Sequence, residues 1–299
     1  MRKLFFVLIS ICLLSLYSCD DGDIITFNLD FGDEFYACEG VSDLVIYKTK
    51  DDPSESISVL ISSFSIEDML AVESNDTLKI EDKSASFNYR TYNDASISNL
   101  FCNEIPANLD INVDETSDCE VDIFTVLTED DNDGIPSELE DINENGDLTD
   151  DDTDGDGIPN YKDADDDGDN VLTKNELPDP NGDGDIIDAQ DTDGDLTPDY
   201  LDEDDDGDGV KTRDEENASQ DNNPANDITN EEVGADYLND VVKNTVPATA
   251  YRNHTYTQEY LIAINIKNID ITELSQDELD FGTYGQSTIG TVSITPDFN

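Results

Sequence analysis

The chain has 299 residues, with 75 acidic and 14 basic side chains and a formal net charge of −61. A polyanion of this kind repels nucleic acid, so no nucleic-acid partner is expected. One histidine and no tryptophan leave little for imidazole catalysis or indole stacking on sugars, although 12 tyrosines and 11 phenylalanines keep aromatic stacking open.

Met1-Arg2-Lys3 is a basic start, and Leu4–Leu16 is an apolar run too short to span a bilayer comfortably. With the following Tyr17-Ser18-Cys19 these are the parts of a secretory signal, so residues 1–18 are excluded from any folded domain. The Leu16-Tyr17-Ser18-Cys19 ending resembles the lipobox of bacterial lipoproteins. That resemblance implies that Cys19 is acylated, becomes the mature N-terminus and anchors the protein to a membrane. Residues 19–23 form an acidic tether, and Asp20-Asp21-Gly22-Asp23 resembles the export signal of Bacteroidota-type surface lipoproteins. The resemblance implies a lipid-anchored place in the outer membrane, facing the cell exterior. In other Gram-negative systems an Asp after the acylated Cys implies retention at the inner membrane instead.

Residues 24–128 alternate apolar and polar side chains in short runs: Ile24–Phe31, Leu44–Lys48, Ile57–Ser62, Thr77–Glu81, Ser86–Tyr92, Leu109–Val113 and Val121–Leu127. Turn residues at Asp51-Asp52-Pro53 and Ser74-Asn75-Asp76 separate some of them, and one turn of helix is expected at Ile66–Val72. Short strands at this spacing predict a β-sandwich, and the fold class is therefore mostly β. Of the five cysteines, Cys12 leaves with the signal and Cys19 carries lipid. In an oxidising compartment one disulfide is expected among the remaining three, with Cys38–Cys102 favoured and Cys119 left as a buried thiol, although three free thiols stay open. Asp76-Thr77-Leu78 matches a minimal bacterial O-glycosylation pattern, and equally reads as a turn entering a strand.

Residues 129–216 hold nearly half of all the acids. Unneutralised, such a tract repels itself and stays disordered. Its spacing argues for cations. In twelve-residue windows starting at Glu129, Asp152, Asp165, Asp191 and Asp204, positions 1, 3 and 5 are acidic: Glu129/Asp131/Asp133, Asp152/Asp154/Asp156, Asp165/Asp167/Asp169, Asp191/Asp193/Asp195 and Asp204/Asp206/Asp208. Position 12 is Glu140, Asp163, Glu176, Asp202 or Glu215, and position 9 carries oxygen in Ser137, Asn160, Thr173, Asp199 and Thr212. A hard cation such as calcium takes 6–8 oxygens from positions 1, 3, 5, 7, 9 and 12 of such a loop. Gly134, Gly157 and Gly209 supply the sharp turn at position 6, Asn170 is the next best residue there, and Leu196 departs from the pattern. Residues 152–176 align with 191–215 without a gap, a repeat that marks stacked units. A single residue, Ala164 or Glu203, separates the two loops of each unit, which leaves no room for a helix–loop–helix hand. The tract resembles the thrombospondin type 3 calcium repeats, including bacterial versions. That resemblance implies an irregular, calcium-wrapped segment whose ligands are the acids named above. Asn143–Asp151 and Asp179–Asp188 look like degenerate loops. Magnesium prefers waters to all-protein cages, and zinc would want Cys or His, which the tract lacks. The high free calcium outside cells favours the exterior location.

Residues 217–299 comprise a polar linker (217–230), a short helix expected at Glu232–Val242 with Val233, Tyr237, Leu238 and Val241 on one face, and β runs at Tyr256–Ile271, Leu279–Tyr284 and Ser287–Ile294. So few strands do not make an independent sheet, so they either dock on the 24–128 domain or cap the repeats. His254 reads as a surface loop residue, and no nucleophile elbow or phosphate-cradling glycine loop is present. The expected function is a non-enzymatic, calcium-binding cell-surface lipoprotein, an adhesion, scaffold or accessory module on a calcium-stiffened stalk. Its partners would be calcium, the outer membrane, and a surface protein or glycan. The alternatives are a surface enzyme acting on polysaccharide or peptide, with the repeats as spacer, and a calcium store.

Overall fold

The computed structural model describes residues 30–97, 100–103, 108–217, 220–272, 275–286 and 288–298. The signal segment, Cys19, the tether and residues 24–29 lie outside them.

Eight strands and one short helix are present among the described residues: β1 (Glu34–Glu39), β2 (Asp43–Asp51), β3 (Ser54–Ser62), α1 (Ile66–Leu70), β4 (Thr77–Tyr92), β5 (Ile111–Asp130), β6 (His254–Asp270), β7 (Ser275–Tyr284) and β8 (Ile289–Ile294). The strand order is β5-β4-β3-β2-β1-β7-β6-β8, and β5 also pairs with β6. The fold is thus mostly β, as its alternation implies, but strands β1 to β7 close into a barrel rather than packing as a sandwich. The C-terminal strands β6 and β7 complete the ring, and β8 pairs only with β6, from His254↔Ile294 to Glu259↔Ile289. Closure removes the exposed edges that two flat sheets would leave.

The antiparallel registers place like faces together. Ala37 lies opposite Ile46, Ile46 opposite Val59, and Val59 opposite Phe87, all buried. Lys48 continues the buried face of β2, and its Nζ donates to the Gly32 carbonyl at 2.5 Å. Two pairs of expected strands are single long ones: Thr77–Tyr92 and Ile111–Asp130. Asp82 adopts a left-handed φ of 55° inside β4, a local break that the sequence shows as a gap between two runs. Asn268 (φ 61°) does the same in β6, which is why the buried set there shifts from Ile262, Ile264 and Ile266 to Ile269. The helix at Ile66–Leu70 starts at a capping box made by Ser65 and Asp68 and buries Met69.

The chain divides into two compact units. Among the described residues, one contains those up to Ser62 and those within Asp82–Val121 and Asn265–Gly282; the other contains Ser63–Glu81 and those within Asp122–Ile264 and beyond Gly282. In the first, Cys38 and Cys102 form a disulfide (Cα–Cα 5.4 Å), Phe35 packs on Phe281 at 5.8 Å, and burial pushes the free Cys119 thiol up to about 11. The second contains the acidic tract, whose regular structure is confined to single 3-10 turns.

The expected helix at Glu232–Val242 does not form. Gly234 (φ 105°) interrupts it, a 3-10 turn at Asp236–Leu238 replaces it, and Val241 is 81% exposed. Residues 227–239 instead copy the backbone of the repeats. The Asp236 N–H donates to the Asp227 carbonyl as Asn160 does to Asp151 and Asp199 to Gln190, at 2.8–2.9 Å. Tyr161, Tyr200 and Tyr237 are buried at matching places.

Candidate metal centres

Local hydrogen bonding explains why so acidic a chain folds into loops. Within each loop one carboxylate oxygen of an acid accepts a backbone N–H two residues ahead. Asp131 accepts from Asp133 at 3.0 Å, Asp133 from Ile135 at 2.8 Å, Asp169 from Val171 at 2.6 Å and Asp208 from Val210 at 2.8 Å. Position 1 acids reach further: Asp152 accepts from Gly155 at 3.0 Å and Gly157 at 3.1 Å, and Asp191 from Gly194 at 2.8 Å and Leu196 at 3.1 Å. These are Asx-type turns, in which short acidic side chains replace a backbone ladder. Leu196 takes the left-handed turn (φ 87°) in place of glycine.

The other oxygen is left pointing inward. Asp131 Oδ2, Asp133 Oδ2, Asp167 Oδ2 and Asp169 Oδ2 are buried without a hydrogen-bond partner. These acids converge in two buried groups, Asp131/Asp133/Glu140/Asp166 and Asp167/Asp169/Glu176/Asp205, each with ligand atoms within 4.8 Å of one another. Three more open groups gather positions 1, 3 and 5 of their loops: Asp152/Asp154/Asp156, Asp191/Asp193/Asp195 and Asp204/Asp206/Asp208.

Asp166 and Asp205 are the ligand candidates that loop-by-loop reading misses. Each sits at position 2 of the second loop of the next repeat unit, is 1% exposed, and has both carboxylate oxygens without a hydrogen-bond partner. The gapless alignment of 152–176 on 191–215 holds the missing signal, since it places Asp166 on Asp205 as an acid where the companion loops have Thr153 and Thr192.

Several expected ligands do other work. Glu129 spends both oxygens, one on Lys162 Nζ at 3.0 Å and one on Gln258 at 2.7 Å. Position 9 closes the loop instead of facing a cation. Asn160 accepts the Thr153 N–H at 3.0 Å, Asp199 accepts that of Thr192 at 2.7 Å, and Thr173 accepts that of Asp166 at 3.2 Å. Asp199 Oδ2 is also taken, by Thr192 Oγ1 and Gln190 at 2.7 Å. Asp163 and Asp202 accept from Asp165 and Asp204 at 3.1 and 3.0 Å and join no converging group, nor do Asp165 or Glu215.

His254 is not a surface residue. It opens β6, is buried, and holds Nε2 3.1 Å from Asp163 Oδ1. Burial, helped by Arg252, lowers its pKa to about 4, so the ring is neutral.

The electrostatics of the two buried groups are those of an uncompensated anion cage. Burial, then Asp133 and Asp130, pushes Glu140 up to about 9. Burial and neighbouring carboxylates hold Asp166, Asp167 and Glu176 well above the usual carboxylate range. Buried carboxylates of this kind are stable when protonated or when they coordinate a cation. Donor sets made only of carboxylates suit a hard cation, and neither buried group contains sulfur or imidazole.

Gly168 and Gly207 make room for the packing of one loop on another. A Cβ on Gly168 would stand 2.2 Å from Asp154 Oδ2, and one on Gly207 2.4 Å from Asp193 Oδ2.

Among the described residues no helix is long and apolar enough to cross a membrane. No curated protein and no solved structure matches the chain. Over residues 130–187, which contain the first buried acidic group, the chain is similar to a family described as BamM C-terminal, a match that fits a bacterial protein associated with the outer membrane.

Proposed function

We propose that the chain is a calcium-binding lipoprotein of the bacterial outer membrane, anchored through Cys19 and exposed at the cell surface. In this reading it is non-enzymatic. Ions neutralise the acidic loops and turn a self-repelling segment into a stiff spacer, and the protein serves as an adhesion, scaffold or accessory module for a surface protein or glycan. The observation that carries the reading is the pair of four-carboxylate groups whose inward oxygens are buried without partners. Calcium fits because it accepts many carboxylate oxygens in irregular cages, with a Glu at the last loop position, as Glu140 and Glu176 provide. The thrombospondin type 3-like spacing supports the same ion.

The test is calorimetric titration of the mature protein with calcium after chelator treatment, followed by limited proteolysis of both forms. The expected result is saturable binding and protection of residues 129–216 by calcium. Identical proteolysis with and without the ion would sink the reading.

A surface enzyme remains the second reading, because a cavity of about 320 Å³ is lined by Asp76, Glu129, Asp147, Ser137 and Tyr161. Burial and the Glu129 carboxylate raise the Asp76 pKa, as a general acid would need. Hydrolysis of a surface polysaccharide or peptide that is lost in Asp76→Asn would favour it over the scaffold.

A further inference from the structure

The two buried groups belong to a series. Each takes positions 3, 5 and 12 of one loop and an aspartate from the next unit, five residues beyond that unit's buried tyrosine: Tyr161 with Asp166, Tyr200 with Asp205. The third term begins in the same way. Asp206, Asp208 and Glu215 hold positions 3, 5 and 12 of the Asp204 loop and are buried or half-buried; Asp206 and Asp208 converge with Asp204 while Glu215 stands outside that group, and Asp206 Oδ2, Asp208 Oδ2 and both Glu215 oxygens have no hydrogen-bond partner. The third unit also supplies its tyrosine, Tyr237, and repeats the loop closure, with the Thr229 N–H donating to Asp236 Oδ1 at 2.6 Å. Five residues beyond Tyr237, however, stands Val242 where the fourth carboxylate should be. The next residue, Lys243, turns in: its Nζ lies 3.5 Å from Asp208 Oδ2 and donates to the Asp208 carbonyl at 2.6 Å. The Asp208 side chain is fully buried, whereas that of Lys243 is 56% exposed.

We propose that Lys243 is the resident cation of this last centre, an ammonium that occupies the place a metal ion takes in the two preceding ones and so ends the metal array within the protein. Val242 and Lys243 together make the change: one removes a ligand and the other supplies a charge. Because the lysine side chain is half in solvent, it competes with calcium and is not a permanent plug. The inference rests on the calcium reading above.

The test counts ions by native mass spectrometry on the mature full-length protein titrated with calcium alone. The double variant Val242→Asp/Lys243→Gln restores the fourth carboxylate and removes the ammonium, and is expected to hold one ion more than the parent. Lys243→Gln alone is expected to bind the weakest ion about fivefold tighter, the factor set by a partly exposed ion pair. Lys174→Gln, an exposed lysine of the same tract, is expected to change neither count nor affinity beyond the loss of one distant charge. An unchanged count in the double variant together with unchanged affinity in Lys243→Gln would overturn the proposal, as would a lower count in either. A parent protein that binds no calcium at all would sink the calcium reading itself, and so the two failures are distinguishable.

Discussion

At the scale of single residues, identical acids carry different duties according to which oxygen the backbone leaves free. Asp166 and Asp205 offer both oxygens to a buried group, whereas Asp199 gives both to hydrogen bonds. Asp166→Asn and Asp205→Asn should therefore each weaken one calcium by about 100-fold or more, since even indirect partners of a metal are worth 10–100-fold. Asp199→Asn should leave calcium binding unchanged in the same titration and cost about 1 kcal/mol in thermal melting, because Asn160 already makes the equivalent bond to Thr153 at 3.0 Å. Gly168→Ala puts a methyl group 2.2 Å from Asp154 Oδ2 at a φ of 67°. It should destabilise the loop pair by about 1–3 kcal/mol, read as a lower melting temperature with calcium present.

At the scale of the loops, the acids set a pH dependence whose sign follows from their direction of shift. In the metal-free protein burial and neighbouring charge raise Glu140 to about 9, and Asp166, Asp167 and Glu176 also rise. Unfolded, the same groups titrate near about 4. The folded state thus binds protons that the unfolded state has released, so this contribution is complete below about pH 4 and is lost as pH climbs through the raised values. Chelated protein should melt at a lower temperature at pH 8 than at pH 5. Calcium should reverse the trend, because its ligands must lose their protons, and the affinity should fall as the solution is acidified. Melting curves at the two pH values, with calcium and with chelator, check both statements.

At the scale of the molecule, one unit is stabilised by an apolar interior and a disulfide, and the other carries the acidic loops. Calcium at about 100 times its dissociation constant should stabilise each occupied centre by about 2.7 kcal/mol, so the acidic unit should gain stability with added ion. Hydrogen exchange should show that gain concentrated in residues 129–239, while the unit containing Cys38 changes little. Equal protection throughout would contradict the division.

The sequence by itself determined the mostly β class, the alternation of β2, β3 and β6, the five loop windows and the acids at positions 3 and 5 of each, because these follow from periods of a few residues. It also carried the turn of helix at Ile66–Val72, whose capping residues the structure supplied. Only the tertiary structure decided that the barrel closes through β5 on β6, that Asp166 and Asp205 complete centres begun a unit earlier, that His254 faces Asp163, and that the repeat backbone continues to residue 239, past the last of the five loop windows. Each of these joins residues far apart along the chain or rests on backbone hydrogen bonds that leave little mark on side-chain identity. Local spacing specifies which oxygens a loop can offer. Which neighbouring unit meets them is set by packing.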